Sequence, residues 1–143
     1  MANRVYIGID YGERRIGLAK SDPTGLIASP LKTIAVKSIN RAIDEIVSLI
    51  EQTGAAGVVI GYPISLSGGD KGESCRKVDR FIERFRKRYE GPMYKIDERF
   101  SSAEAENMIH RHNKKIGQDK SRVDRIAAAI ILQKFLDERK QAN

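Results

Sequence analysis

Acidic side chains stand at three places in this chain where structural need explains a carboxylate poorly. Asp10 ends the first apolar strand, and Asp124 opens the last helix. The pair Asp97 and Glu98 ends a later strand. Neighbouring parallel strands end at one edge of a sheet, and a helix that starts there adds its first turn, so we expect these acids to cluster. Clustered carboxylates repel one another unless a cation joins them, and the pattern therefore indicates a metal site.

The ligand type indicates which metal such a site would take. An all-oxygen donor set beside phosphate suits Mg²⁺ or Mn²⁺. Two such ions can activate water and stabilise the leaving oxygen during phosphodiester hydrolysis. Gly8 and Gly12 flank Asp10, and we expect them to leave room for an ion or a phosphate near the backbone. The set therefore predicts a metal-dependent nuclease.

Each acid taken alone has a simpler interpretation. Ser121 and Asp124 have the spacing of a helix capping box. Asp97 and Glu98 precede Arg99, and such a group is typical of a solvated strand end with an ion pair. Asp10 could be a turn former. The metal-site hypothesis therefore depends on the whole set of acids.

Hydrophobic periodicity predicts the elements that must position these acids. Pro30 places the third strand at a sheet edge or at a bulge. The predicted strands lie near 5–10, 16–20, 27–36, 58–60 and 93–98, and the predicted helices near 39–54, 74–90, 101–112 and 122–139. This order predicts an α/β fold, with a five-stranded mixed sheet of three antiparallel and then two parallel strands and with helices on both faces. It is the order of a single ribonuclease H-like domain over residues 1–143.

Composition and charge limit the classes of function. The chain has 143 residues and a formal net charge of +7, which favours a polyanionic partner such as nucleic acid. The longest apolar run, Ile126 to Leu132, is too short to cross a bilayer, so no membrane partner is expected. Cys75 is the single cysteine, which disfavours a disulfide or a thiolate zinc site and fits a reducing, cytoplasmic location.

Several basic residues are candidates for nucleic-acid binding. Arg14 and Arg15 follow Asp10 within one turn, close enough for one of them to hold a phosphate, although both could be solvated at a hairpin tip. The glycine-rich loop 67–73 lacks the phosphate-binding pattern of a Walker A loop, so no nucleotide cofactor is predicted. That loop could close over a nucleic-acid strand or simply lie at the surface. The remaining candidates are Lys71 in this loop, Arg76 on a basic helix face, Arg99, and Lys120 after a basic segment.

The chain resembles the YqgF family of ribonuclease H-like proteins, described as pre-16S rRNA nucleases and earlier as Holliday junction resolvases. The resemblance covers nearly the whole chain. It is carried by five segments in this order: GIDYGERRIGLA from Gly8, VVIGYP from Val58, SGGDKGE from Ser67, DERFSS from Asp97, and VDRIAAAIILQKFL from Val123. Related resolvases have an acid at the end of the fourth strand, where this sequence has Gly61, and the acid after the fifth strand could take its role.

The resemblance implies a nuclease that uses Mg²⁺ or Mn²⁺ and acts in 5′-end processing of precursor 16S rRNA. Its catalytic acids would be Asp10, Glu98 and Asp124, and Asp97 could join them as a metal ligand. Two alternatives stay open: a resolvase acting on branched DNA, and a weakly catalytic RNA-binding factor in ribosome assembly. An ATPase of a related fold would need a second such domain. The oligomeric state, monomer or homodimer, is left open.

Overall fold

Five strands and three helices build the described part of the chain, which in this computed structural model comprises residues 4–63, 72–97 and 120–142, with side chains given for 121–140 of the last segment. The order of strands in the sheet confirms the predicted mixed architecture. In chain order the elements are β1 (Tyr6–Asp10), β2 (Arg15–Ser21), β3 (Ala28–Ala35), α1 (Ile39–Thr53), β4 (Gly57–Tyr62), α2 (Glu73–Arg86), β5 (Met93–Asp97) and α3 (Lys120–Ala142).

The sheet has the order β3-β2-β1-β4-β5, so β1 is the central strand. β1, β2 and β3 are antiparallel neighbours, whereas β4 and β5 run parallel to β1. β3 is an edge strand, and its register with β2 shifts between Leu18 and Ala19, opposite Pro30. Proline cannot donate a ladder hydrogen bond, which explains why it is accommodated at this edge irregularity.

One face of the sheet, here the α1/α2 face, carries the larger apolar core. Ile7 and Ile9 of β1 point to this face and are completely buried. α1 begins after Ser38, whose hydroxyl accepts a hydrogen bond from the Arg41 N–H, and ends at Gly54 in the left-handed conformation. Phe81 and Phe85 from α2 fill the centre of this core.

The opposite face, here the α3 face, brings a helix into contact with strand backbone. A Cβ atom on Gly8 would lie 2.8 Å from Cβ of Leu132 and 2.9 Å from the carbonyl oxygen of Ala128. The space beside Gly8 is therefore filled by α3, which corrects the expectation that this glycine leaves room for an ion. Ile126 and Ile130 of α3 are only partly buried. Six of the described side chains of this helix are buried. They are Ala127, Ala128, Ile131, Leu132, Phe135 and Leu136.

The end of one predicted helix differs from the sequence expectation. α2 ends at Arg86 rather than near residue 90, because the N–H groups of Lys87 and Arg88 bond to carbonyls three residues back instead of four, those of Arg84 and Phe85. The predicted helix 101–112 and the basic segment that follows it lie outside the described residues. Within the described part of the chain, no helix combines the length and the apolar character needed to span a membrane.

Candidate active site

The backbone of Asp124 lies beside Asp10 on the α3 face, at one end of the sheet. Asp10 is the last residue of β1, as predicted, and its partner in β2 is Gly17. Directly opposed residues of an antiparallel pair are about 5 Å apart and point to the same face. A Cβ atom on Gly17 would collide with the backbone carbonyl of Asp124, so α3 rests on this glycine. Gly17 therefore places the backbone of Asp124 beside Asp10.

The carboxylate of Asp124 is paired with Arg15. Arg15 Nε donates to Asp124 Oδ2 over 2.7 Å, and the two side chains are 37% and 21% exposed. α3 begins at Lys120, so Ser121 lies inside the helix instead of at its N-cap. The capping-box interpretation of Asp124 thus does not fit the observed helix. The ion pair links the start of β2 to a helix 109 residues further along the chain.

Asp97 lies on the other face of the sheet from Asp10. Tyr94 and Ile96 of β5 pack with the α3 cluster, and Asp97, the next residue, pairs in register with Tyr62 of β4. Tyr62 faces α2, where its hydroxyl donates to Asp79 Oδ2 over 3.1 Å. Because paired residues share a face, Asp97 points toward the α1/α2 side.

The third predicted acid, Glu98, lies outside the described residues. Among residues 4–63, 72–97 and 120–142, no three His, Cys, Asp or Glu side chains come together as a metal site would require. Asp10 and Asp124 are the two predicted metal ligands that the described structure brings to one place on one face.

A polar cleft of about 420 Å³ opens beside Asp124. Its walls come from the turn between β1 and β2, the residue after β4, the first turns of α2, and α3. The charged side chains in this cleft are Glu13, Arg14, Arg15, Lys77 and Asp124, and the other lining residues are Tyr11, Gly12, Pro63, Ser74 and Val78. Three cations against two carboxylates give the cleft a positive balance, which suits a polyanion.

An ion pair between Lys77 and Glu13 spans this cleft from α2 to the β1–β2 turn. Its hydrogen bond and charge lower the pKa of Glu13 and raise the pKa of Lys77. Both groups are therefore charged at neutral pH. Lys77 was absent from the sequence-based candidates because it stands at the border of the apolar stripe of α2. Lys77 comes three residues after Ser74 and directly before Val78. This place near the start of α2 was the sequence signal that could have indicated a position at the cleft.

The predicted nucleic-acid contacts have different positions. Arg14 is exposed at the cleft, whereas Arg15 is half-buried against Asp124. Arg76 is exposed on α2 and does not line the cleft. Lys120 is the first residue of α3, but its side chain is not among those described, and Lys71 and Arg99 lie outside the described residues. Of the three predicted contacts whose side chains are described, Arg14 and Arg15 line the cleft with Asp124 and Arg76 does not.

Two other reactive side chains near the cleft have structural tasks. Cys75 is buried, and its Sγ donates to the Pro63 carbonyl over 2.6 Å, which agrees with the absence of any catalytic signal around it. Desolvation, together with the adjacent Asp79 carboxylate, raises the pKa of Tyr62 to about 12. The Tyr62 hydroxyl is therefore protonated at neutral pH.

Comparison with known sequences identifies a family. A family model described as RuvX, Holliday junction resolvase, matches residues 4–138. A protein of Chloroflexus aurantiacus named "Putative pre-16S rRNA nuclease" is 38% identical over 140 residues, which cover 98% of this chain and 91% of that protein. A protein of the same name from Fusobacterium nucleatum is 40% identical over 137 residues, covering 94% and 98% of the two chains.

Comparison with solved structures identifies the fold. Thermus thermophilus RuvC in complex with a Holliday junction substrate superposes with a TM-score of 0.59 at 17% identity, covering 96% of each chain. The yeast mitochondrial Holliday junction resolvase Ydc2 superposes with a TM-score of 0.60 at 10% identity, covering 95% of this chain and 79% of that one. At such low identities the likeness shows the fold, which is ribonuclease H-like.

The family model and the relatives support a hydrolase that acts on nucleic acid, in agreement with Asp10 at the end of the central strand and Asp124 beside a cleft of positive balance. They also confirm the resemblance stated from the five sequence segments. With a family model that spans nearly all of its length and relatives near 40% identity, the chain belongs to the RuvX/YqgF family.

Proposed function

We propose that this protein is a metal-dependent nuclease that hydrolyses phosphodiester bonds of RNA in 5′-end processing of precursor 16S rRNA. The observation that carries the proposal is the meeting of Asp10 and Asp124 at Gly17, beside a cleft of positive balance. The RNA substrate is taken from the names of the relatives.

The donor set fits a hard divalent cation. Asp10 and Asp124 offer carboxylate oxygens, which are hard ligands. The neighbouring side chain of Arg15 is a cation and adds no ligand to the set. In the proposal the two aspartates and Glu98 hold Mg²⁺ or Mn²⁺. Asp97 is set aside as a ligand because it points to the opposite face from Asp10, and Glu98 keeps the role that the family resemblance implies for it. When bound, such ions activate a water molecule and stabilise the leaving oxygen.

The arginines of the turn have separate tasks in the proposal. Arg15 acts as a positioning residue, because its bond to Asp124 Oδ2 fixes the direction of that carboxylate. An ion pair exposed to this degree contributes only about 0–1 kcal/mol to stability, so its main effect is orientation. Arg14 is exposed in the same cleft, and its guanidinium binds a phosphate oxygen of the substrate.

Replacement of Asp10 by asparagine tests the metal site. The change removes a charge with almost no change in shape, and we expect cleavage with Mn²⁺ to fall at least about 100-fold, more than is usual for loss of an outer partner. Asp44→Asn is the matched control, since Asp44 is an exposed carboxylate on α1 with an arginine partner, Arg88. That variant should cleave at the wild-type rate. Cleavage by Asp10→Asn at the wild-type rate would rule out the metal-site hypothesis.

The same assay separates the alternatives when it offers precursor 16S rRNA and a four-way DNA junction side by side. Preference for the junction would favour a resolvase, the activity in the family description. A resolvase also needs two active sites facing one another, so a monomer in solution would count against it. RNA binding with no cleavage of either substrate would favour the ribosome-assembly factor.

A further inference from the structure

The ion pair across the cleft joins two side chains that solvent reaches. The side chain of Lys77 is 38% exposed and that of Glu13 is 56% exposed. Pairs of this kind stabilise a fold by about 0–1 kcal/mol, because water already solvates both charges. The pair is therefore a weak structural bond, and a competing anion could replace its carboxylate at small cost.

The setting of the pair favours such a competitor. Lys77 lies in the cleft that contains Arg14, Arg15 and Asp124. Lys77 lowers the pKa of Glu13 most, and the charges of Arg14 and Arg80 lower it further. Glu13 is thus an exposed anion that basic side chains surround, a position that a phosphate group could also occupy.

We propose that Lys77 is a phosphate-binding residue and that Glu13 is an internal competitor, whose carboxylate a nucleic-acid phosphate displaces from the Lys77 ammonium. The inference rests on the proposed function in one respect, that the cleft beside Asp124 takes nucleic acid. Glu13 then lowers the affinity for every polyanion, and only a ligand with several phosphates in the cleft opens the pair.

Binding measurements on Lys77 test the first half of the proposal. A fluorescein-labelled RNA from the 5′ leader of precursor 16S rRNA is titrated in EDTA, so that no cleavage occurs, and fluorescence anisotropy is recorded at several salt concentrations. Loss of one phosphate contact in Lys77→Ala should weaken binding about fivefold near physiological salt and reduce the salt slope by about one. Lys77→Arg keeps the charge and should retain the wild-type affinity.

Replacing Glu13 tests the competition. Glu13→Gln should tighten binding about two- to fivefold, the range expected when an exposed ion pair no longer has to be broken. The double variant of Glu13→Gln with Lys77→Ala should bind like Lys77→Ala alone, since no ammonium is left to release. This loss of additivity separates competition for Lys77 from a general change of charge.

A second ion pair in this chain provides the matched control. Lys32 and Glu45 link β3 to α1 with 42% and 41% exposed side chains, and neither lines the cleft. Lys32→Ala and Glu45→Gln make the same charge changes and should alter affinity less than the cleft variants. Thermal unfolding of every variant confirms that it is folded.

Two results would overturn the inference. One is RNA affinity in Lys77→Ala equal to that of Lys32→Ala, and the other is equal tightening by Glu13→Gln with or without Lys77. A wild-type protein that binds no RNA in EDTA would overturn it as well. The proposed function is tested separately, by the cleavage assay on Asp10→Asn. The two tests are independent because the binding assay requires neither metal nor turnover.

Discussion

The two faces of the sheet are packed in opposite ways. On the α1/α2 face, large side chains such as Ile9 and Phe81 fill the space between sheet and helices. On the α3 face, glycines at positions 8 and 17 allow the helix backbone to approach the strands directly. Side chains in a core can change rotamer, whereas a backbone contact has little freedom. Asp10 and Asp124 lie on the face with the backbone contact. The position of Asp124 is therefore set by the contact between the α3 backbone and Gly17.

The difference also separates the sources of stability and of function. The α1/α2 core buries large apolar groups, and burial of each such side chain contributes about 1.5–3 kcal/mol. The α3 face instead has a helix backbone against Gly17, at the end of the sheet where Asp10 lies. We therefore expect opposite substitutions to damage the two faces: loss of volume on the first and gain of volume on the second.

Truncation on the α1/α2 face should have the largest effect on stability. Phe81 is 2% exposed and stacks on Tyr11, with ring centres 4.7 Å apart. Phe81→Ala should lower the free energy of unfolding by about 3–5 kcal/mol, because it removes the ring and leaves a cavity. Urea denaturation measures this loss, with Glu83→Ala on the exposed side of α2 as the control, expected within about 0.5 kcal/mol of the wild type. Similar losses for the two variants would contradict the importance of this core.

Adding one methyl group on the α3 face should have the next largest effect. Gly17→Ala places a Cβ atom against the Asp124 carbonyl, and such overpacking costs about 1–3 kcal/mol of unfolding free energy. It should also lower the rate of cleavage, since α3 must move and Asp124 moves with it. Gly72→Ala is the control, because among the described residues, its chain neighbours aside, no heavy atom lies within 4 Å of a Cβ atom there. Wild-type stability and activity in Gly17→Ala would show that the contact does not set the site.

The smallest expected effect concerns the polar loop of residues 22–27. Hydrogen bonds to Asp22 hold this loop in place, and it buries little apolar surface. Bonds from the Thr24 hydroxyl and from the N–H groups of Ile27, Leu26 and Thr24 to the Asp22 carboxylate lower its pKa from 3.8 to about 2. Because the folded pKa is below the unfolded one, this stabilisation is complete above about pH 4 and is lost as the pH falls toward 2. Amide signals of Leu26 and Ile27 should follow this titration.

A variant of the loop shows whether the carboxylate is responsible. In Asp22→Asn the side chain has no charge to titrate between pH 4 and pH 2, the range set by the two pKa values of Asp22. The loop amide signals should then lose their dependence on pH in that range. Unchanged titration of the Leu26 and Ile27 amide signals in this variant would show that another acid controls the loop.

Much of the fold was predictable because it depends on local patterns. Alternation in β1 and helical spacing in α1 depend on a few consecutive residues, and both elements form where predicted. Pro30 correctly indicated an irregular edge strand. The end of α2 was set too late, since the apolar spacing continues to Tyr89 although the chain already turns there. Periodicity does not report where backbone hydrogen bonds change partner.

The positions of two candidate acids were predictable, but their roles stay a prediction. Asp10 ends β1 as the sequence indicates, and the structure places the backbone of Asp124 against Gly17, the β2 partner of Asp10. The tasks of the glycines were not recognised, because glycine in a strand can make room for an ion or for a helix, and the sequence does not distinguish the two. Asp97 shows a similar limit, since only the register with Tyr62 assigns it to the face away from Asp10.

The sequence by itself determined which acids end which elements, the positive net charge, and the family to which the chain belongs. Only the tertiary structure decided that Arg15 pairs with Asp124, across 109 residues of chain, and that Lys77 pairs with Glu13 across the cleft. The physical reason is the distance along the chain over which each influence acts. Propensity and periodicity act over a few residues, whereas partners of charged side chains depend on the approach of helices to the sheet, which the whole packed core sets.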